Sequence, residues 1–435
     1  MLFHSTNGKT QGVTFPTAIE KGLADDGGLF MPANMPSLPA AFFRNIPEMS
    51  LQEIGYVVCN TLLGDFLSSE AIKSIVDDAL DFPVPLRKTG EGDNLYVLEL
   101  FHGPTLSFKD AGARFMSRLL PALFPDTARR TVILATSGDS GGALADSFSD
   151  SPSTRVIVLF PRGELSRQQV AMFCNRPNVT AVEVGGTFDD CQTLVKQVLV
   201  DKDLNAAVPL TSGNSINLAR QFPSIIYYFH AYARAMEMSP DSGKVVISVP
   251  CGNLGNLAAA LMAKKMGLPV ARFIGANNAN DTFVEYLQTG GLRPRRALMT
   301  LARAMDVGNP SNLARIIDLY GGDLESLRKD VVGVAFSDRE IVQTIREVYE
   351  RDGYLLGPQS ATAYRALRGN LLPGETGVAM ATGHPAKFPQ AMMEAVGHTT
   401  PPPPQLDGLN LLSLPAVKIP PAKSALSRLI LRNQP

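Results

Sequence analysis

Between residues 51 and 80 apolar residues recur at helical spacing, with a break at Gly64, until Asp81-Phe82-Pro83-Val84-Pro85 ends the pattern. This predicts an N-terminal helical region. Farther along, short β-branched runs at 131–135, 155–159, 179–184, 244–249, 270–274 and 377–381 alternate with helical stretches such as 111–120 and 257–266. Strands buried on both faces read as continuous apolar runs, and strands that alternate with helices form parallel sheets covered by helices. The expected fold class is therefore α/β, with two parallel-sheet α/β domains, the N-terminal helical region and a C-terminal tail. The expected boundaries are 1–95 for the N-terminal region, 96–125 plus 236–400 for a large domain, 126–235 for a small domain and 401–435 for the tail. The tail opens with four prolines, Pro401 to Pro404, and Leu411, Leu412 and Leu414 are expected to fold it back over the body.

Composition narrows the functional classes. The chain has 435 residues, of which 45% are hydrophobic and 19% charged, below the roughly 25% charged fraction of an average soluble protein, which favours a large packed interior. Forty basic residues against 41 acidic ones leave a net charge of -1. No global field then draws the chain to nucleic acid or to an anionic membrane, so any anion must be bound locally. Cys59, Cys174, Cys191 and Cys251 are scattered without a Cys-x-x-Cys pair. That predicts neither a disulfide framework nor a metal site, and a reducing compartment. The start, MLFHSTNGKT, has no leader-like apolar core, and no run reaches the roughly 18–20 apolar residues of a membrane span. A cytoplasmic protein without a membrane or nucleic-acid partner is expected.

The candidate chemistry lies where strands give way to helices. FHGPTLSFKDAGARF (101–115) places Lys109 after the turn-forming Gly103-Pro104 and before a helical run. A lysine near a helix start is by itself an ordinary surface residue, so its weight depends on its company. PCGNLGN (250–256) follows the run at 244–249. Its glycines let the amides of Gly252, Asn253, Leu254, Gly255 and Asn256 converge on one anion, and the following helix adds its positive end. The spacing is not that of a dinucleotide loop, and no Gly-Lys-Ser/Thr follows, so a small phosphate ester fits best; an ordinary strand-to-helix turn is an equal reading of this loop alone. ATSGDSGGAL (135–144) is a second such loop. There Thr136, Ser137 and Ser140 supply hydroxyls, and Gly138 a flexible backbone, for a carboxylate or phosphate oxygen. Its GDSGG also matches a serine-protease motif, but the α/β context and scarce cysteines oppose that reading. LTSGNSINLAR (210–220) puts Asn214, Ser215 and Asn217 on a turn ahead of Arg220, a receptor for a second anion. In ATGHPAKF (381–388), Thr382 could meet a buried heteroaromatic nitrogen, while His384 reads as a structural hydrogen bonder; Lys387 closes the motif.

Together with VTFPTAIEKGLADDGGLFMP (13–32) and ARAMDV (302–307), these segments resemble the threonine synthases, a family of fold type II pyridoxal-phosphate enzymes, over nearly the whole chain. The resemblance implies pyridoxal 5′-phosphate as cofactor, held by Lys109 as a Schiff base, with its phosphate on Gly252, Asn253, Leu254, Gly255 and Asn256. It implies Thr382 at the ring nitrogen, Asp139 near the phenolic oxygen, the SGDS loop (137–140), with Thr136, on an amino-acid carboxylate, and Ser140, Asn214, Ser215 and Arg220 on the substrate phosphate. The large domain would bind cofactor and the small domain substrate. The substrate would be O-phospho-L-homoserine, which a PLP-dependent lyase of this type converts to L-threonine and phosphate by β,γ-elimination and β-hydration, with Lys109 as the base. Rival readings are a phospho-lyase releasing 2-oxobutyrate, a paralogue acting on a phosphonate analogue, and a non-catalytic binding protein. Monomer and homodimer both remain open. The chain departs from the family pattern at Ser140 (usually Thr), Cys251 (commonly Ser), Leu254 (Phe) and the STNG start at 5–8, departures that bear on substrate choice more than on cofactor use.

Overall fold

The computed structural model describes residues 1–90, 94–125, 130–151, 153–240, 243–409 and 411–432. Two sheets carry the fold. The six-stranded sheet runs in the order Val331–Ala335, Val270–Asn277, Lys244–Pro250, Glu375–Ala381, Leu95–Glu99, Leu86–Thr89. The five-stranded sheet runs Val417–Ile419, Val179–Val184, Thr154–Pro161, Arg130–Ala135, Leu210–Ser212. All six apolar runs of the sequence are strands, and every residue of Arg130–Ala135 and Glu375–Ala381 is buried, as two-sided coverage by helices requires.

The structure corrects three expectations. The larger sheet is not wholly parallel, because Leu86–Thr89 pairs antiparallel with Leu95–Glu99 at its edge. The N-terminal region is not only helical: Leu51–Leu63 and Ser69–Ala79 form the expected helices on either side of Gly64, but Phe3–Ser5 and Phe30–Pro32 make a small antiparallel sheet before them. The tail does fold back, with Leu414 of the expected leucines packed against the core, but mainly through residues farther along. Leu412 is 95% exposed and Leu411 41%, whereas Val417–Ile419 pairs in parallel with Val182–Val184, and Leu426 and Ile430 of the helix Lys423–Arg432 are fully buried. Backbone hydrogen bonds to an open sheet edge, with two β-branched side chains, outweigh what Leu411 and Leu412 in a proline-rich segment can bury.

A long helix, Leu218–Met238, ties the two sheets together. It packs against Leu51–Leu63, Gly255–Lys265 and Lys109–Leu123. Its buried phenols act as struts: Tyr227 donates to the carbonyl of Phe108 at 3.2 Å, and Tyr228 donates to the Asn256 carbonyl and Oδ1 at 2.9 and 2.6 Å. The Lys109 and Gly252–Asn256 segments are thereby fixed to one rigid rod. Among the described residues no helix is long and apolar enough to cross a membrane.

Candidate active site

A cavity lies where strands of both sheets end, the position at which open α/β sheets bind ligands. Its lining includes Lys109, Ser137, Asp139, Ser140, Asn214, Ser215 and Arg220, the whole segment 252–256, and Thr382. Segments far apart in the sequence thus converge on one space.

Lys109 is the first residue of the helix Lys109–Leu123, in a segment tied by Phe108 N–H to the Thr382 carbonyl at 3.0 Å. Burial lowers its amine below the ordinary lysine value; Asp139 opposes that shift, and Lys387 and Arg220 add to it.

The 252–256 segment forms a cradle. Leu254 adopts a left-handed backbone, φ 58°, immediately before the helix Gly255–Lys265, a turn that aims successive amides at one point. The first amides of that helix have no acceptor within it. A Cβ at Gly252 would lie 2.7 Å from Met305 Cα, so only glycine fits. The loop is braced from outside: Asn253 Oδ1 accepts from Ser311 N–H at 2.6 Å, and Asn312 Nδ2 donates to the Asn253 carbonyl at 2.9 Å. Asn256 Nδ2 is buried with no protein partner.

In the second loop Ser137, Asp139 and Ser140 face the cavity, but Thr136 and Gly138 do not line it. The Thr136 hydroxyl accepts from Gly138 N–H at 3.0 Å and Gly141 N–H at 2.9 Å. Its short side chain is spent folding the loop, and so is the Gly138 amide, which corrects their expected place on the ligand. Asn214 is also largely committed to backbone: its side chain exchanges hydrogen bonds with the Ala135 N–H (3.0 Å) and carbonyl (2.7 Å), locking the two loops in register. Ser215 accepts from Asn312 at 3.0 Å and keeps its own proton to donate. Arg220 is 7% exposed and donates to the carbonyls of Gly213 (2.7 Å) and Lys109 (3.5 Å); its Nε has no protein partner, and burial brings its pKa to about 10.

Four residues without a sequence assignment belong to the site. Lys387 is buried and pairs with Asp139 at 2.5 Å. Gln359, 3% exposed, lines the cavity with neither side-chain atom partnered by protein. Asn312 and Arg315 hold the 214–217 turn, Arg315 donating to the carbonyls of Ser215 and Ile216, each at 2.5 Å. The TGHPAKF motif contained Lys387 in plain view; the others carry no local signal. His384 acts as expected, its Nδ1 accepting from Ala386 N–H at 3.1 Å.

Comparison with known proteins decides the family. A model described as pyridoxal-phosphate dependent enzyme matches residues 82–383, one for the threonine synthase N terminus matches 2–80, and one for the threonine synthase C-terminal region matches 360–430. The threonine synthase of Haemophilus influenzae is 40% identical over 406 residues, covering 92% of this chain and 93% of its own. This chain belongs to the threonine synthase family. The crystal structure of threonine synthase from Escherichia coli superposes with a TM-score of 0.94 at 37% identity, covering 100% of both chains. A threonine synthase from Brucella melitensis, solved with PLP bound, gives 0.89 at 31% identity, covering 99% of this chain and 98% of that one.

As in other threonine synthases, the cofactor is pyridoxal phosphate, and the cavity fits it. A desolvated lysine stands beside a glycine cradle that a Cβ would fill, and buried amides on Asn256 and Gln359 have unspent hydrogen-bonding capacity. Of the departures from the family pattern, Cys251 points away from the cavity. Its thiol donates to the Val249 carbonyl at 3.2 Å and packs against Gly275, so it does not touch a ligand. Ser140 and Leu254 do face the cavity.

Proposed function

We infer that this chain converts O-phospho-L-homoserine and water into L-threonine and phosphate. The observation that carries this reading is one cavity in which a desolvated amine, Lys109, shares the space with two separate anion receptors, the 252–256 cradle and the group around Arg220. Two phosphates, one of the cofactor and one of the substrate, are then held on different donors.

Bound pyridoxal phosphate supplies an electron sink for negative charge that develops beside the α-carbon of an amino acid. Thr382 offers the ring nitrogen a neutral hydroxyl. The amides of Ser137, Asp139 and Ser140 and the Ser140 hydroxyl orient the amino-acid carboxylate and the phosphate arm, and the bidentate geometry of Arg220, with Ser215, suits a phosphate dianion. Lys109, its amine held below the ordinary lysine value by burial, takes the proton from the α-carbon, hands that proton on, and, neutral again, takes one from the β-carbon. Arg220 stabilises the charge gathered by the phosphate as the bond from the γ-carbon to its oxygen breaks. Lys109 returns the β-proton at the γ-carbon, water adds its oxygen at the β-carbon, the phosphate held on Arg220 accepts the water proton, and the proton first taken goes back to the α-carbon to complete threonine. A cytoplasmic setting fits four cysteines that are all free and buried.

The test is an assay of purified protein with pyridoxal phosphate and O-phospho-L-homoserine, measuring phosphate and organic product together. Equal amounts of threonine and phosphate, abolished in Lys109→Ala, are expected. Phosphate accompanied by 2-oxobutyrate would make the protein a lyase, and no phosphate from a visibly yellow protein would overturn the substrate assignment.

A further inference from the structure

Behind the cavity wall lies an ion pair that the proton transfers above do not use. Lys387, in the turn Pro385–Lys387, sets its Nζ 2.5 Å from Asp139 Oδ1, with side chains 3% and 8% exposed, and also donates to the Thr105 carbonyl at 3.0 Å. The other Asp139 oxygen accepts from the Ser107 hydroxyl at 3.3 Å. Asp139 and Lys109 both line the cavity; Lys387 does not. The carboxylate therefore shares the cavity wall with Lys109, whose charge it feels, but is bonded to the lysine that does not line the cavity.

We propose that Lys387 is a positioning residue for Lys109: it keeps Asp139 as its own partner and so leaves the Lys109 amine without a carboxylate to hold its proton. The proposal rests on Lys109 as the proton-carrying group. A base must spend part of its cycle neutral, and a carboxylate within bonding distance favours the ammonium form. The remaining charged and titratable groups around Lys109 do not replace this arrangement. Arg220, from the helix Leu218–Met238, is another cation. Asp110, on the helix of Lys109 itself, accepts from the Thr105 N–H and hydroxyl, and burial raises its pKa to about 6. The phenol of Tyr227 bonds the Phe108 carbonyl, and burial chiefly lowers the pKa of His384, near Lys387. With Lys387 removed, Asp139 keeps Ser107 as its partner among these groups, and Lys109 is the other cation that acts on it.

The test compares wild type with Lys387→Met and Lys387→Arg as holoenzymes, by pH titration of the visible absorbance of the cofactor and by the pH profile of kcat. In Lys387→Met both midpoints move to higher pH by about one unit or more, the size of shift that an unmasked carboxylate causes; Lys387→Arg, which keeps the cation, stays near wild type. If Lys387→Met does not fold, Asp139→Asn decides alone and moves the absorbance midpoint to lower pH. A midpoint unmoved in Lys387→Met, or moved upward in Asp139→Asn, overturns the proposal. The absorbance titration needs no substrate, so a wrong substrate assignment leaves it valid, and retention of the visible band in Lys109→Ala would expose an error in Lys109 itself.

Discussion

Gly252→Ala isolates the phosphate cradle from everything else in the cavity. The added Cβ would meet two backbone atoms, Met305 Cα at 2.7 Å and Ala304 O at 3.2 Å, neither of which can swing aside as a side-chain tip would. The first contact is about 0.7 Å short of ordinary van der Waals distance, so the loop, or the 304–305 segment against it, must shift by about that much. A hydrogen bond near 2.9 Å lengthened by that amount is lost. One bond to a charged phosphate is worth about 1.5–3 kcal/mol, so cofactor affinity should fall by roughly 10- to 150-fold. Equilibrium dialysis against pyridoxal phosphate gives the affinity, and circular dichroism with thermal melting of the cofactor-free protein gives the control. An intact fold that binds the cofactor within about twofold of wild type would refute the assignment of this loop.

Gln359→Leu should separate folding from binding. Removing a buried amide that no protein group satisfies should leave the cofactor-free protein at least as stable, while the melting increment from added pyridoxal phosphate shrinks. His230, buried on the long helix, has its pKa lowered from 6.5 to about 4 by burial, with its Nε2 donating to the Val84 carbonyl at 2.9 Å. The folded state then binds fewer protons than the unfolded one between these values, so stability falls as pH drops from about 6.5 towards 4. His230→Gln should remove up to roughly 3 kcal/mol of that loss, read as urea midpoints at neutral and acid pH. Deleting residues 417–432 strips Ile419, Leu426 and Ile430 from the smaller sheet. At about 1.5–3 kcal/mol per buried aliphatic side chain, this costs on the order of 5 kcal/mol and leaves a bare strand edge. A lower Tm and growing particles in light scattering are expected.

The parts of the fold legible in the sequence are those whose burial is two-sided and long. The six apolar runs could hardly be anything but interior strands, and the helices from 51 to 79 show both their period and their Gly64 break. Leu95–Glu99 is a fully buried strand that the sequence pattern does not set apart, because its apolar run is broken by the glutamate at its end and is followed directly by the apolar Leu100-Phe101. Leu210–Ser212 and Val417–Ile419 are three-residue edges whose identity comes from the neighbour they pair with.

The site divides along the same line. Loops that bind through their own backbone carry glycine and hydroxyl residues in sequence, and 135–140, 214–220 and 252–256 announced themselves. Residues that act across space do not: Lys387 reaches Thr105 over 282 residues, and Arg315 reaches Ser215 over 100. A hydroxyl or amide beside a glycine turn looks the same in sequence whether it faces a ligand or folds the turn: Thr136 folds its loop away from the cavity, while Asn214 lines the cavity and also holds the backbone of Ala135. Only the structure separates the two, by showing where their hydrogen bonds go.

The most direct test of the central claim is to run the reaction with O-phospho-L-homoserine in heavy-oxygen water and weigh both products by mass spectrometry. Loss of phosphate by breakage of its bond to the γ-carbon, followed by hydration at the β-carbon, predicts one heavy oxygen in the threonine hydroxyl and none in the phosphate. Heavy oxygen in the phosphate, with homoserine as the organic product, would mean that water attacks phosphorus and that Lys109 and its cofactor are not performing the chemistry described here.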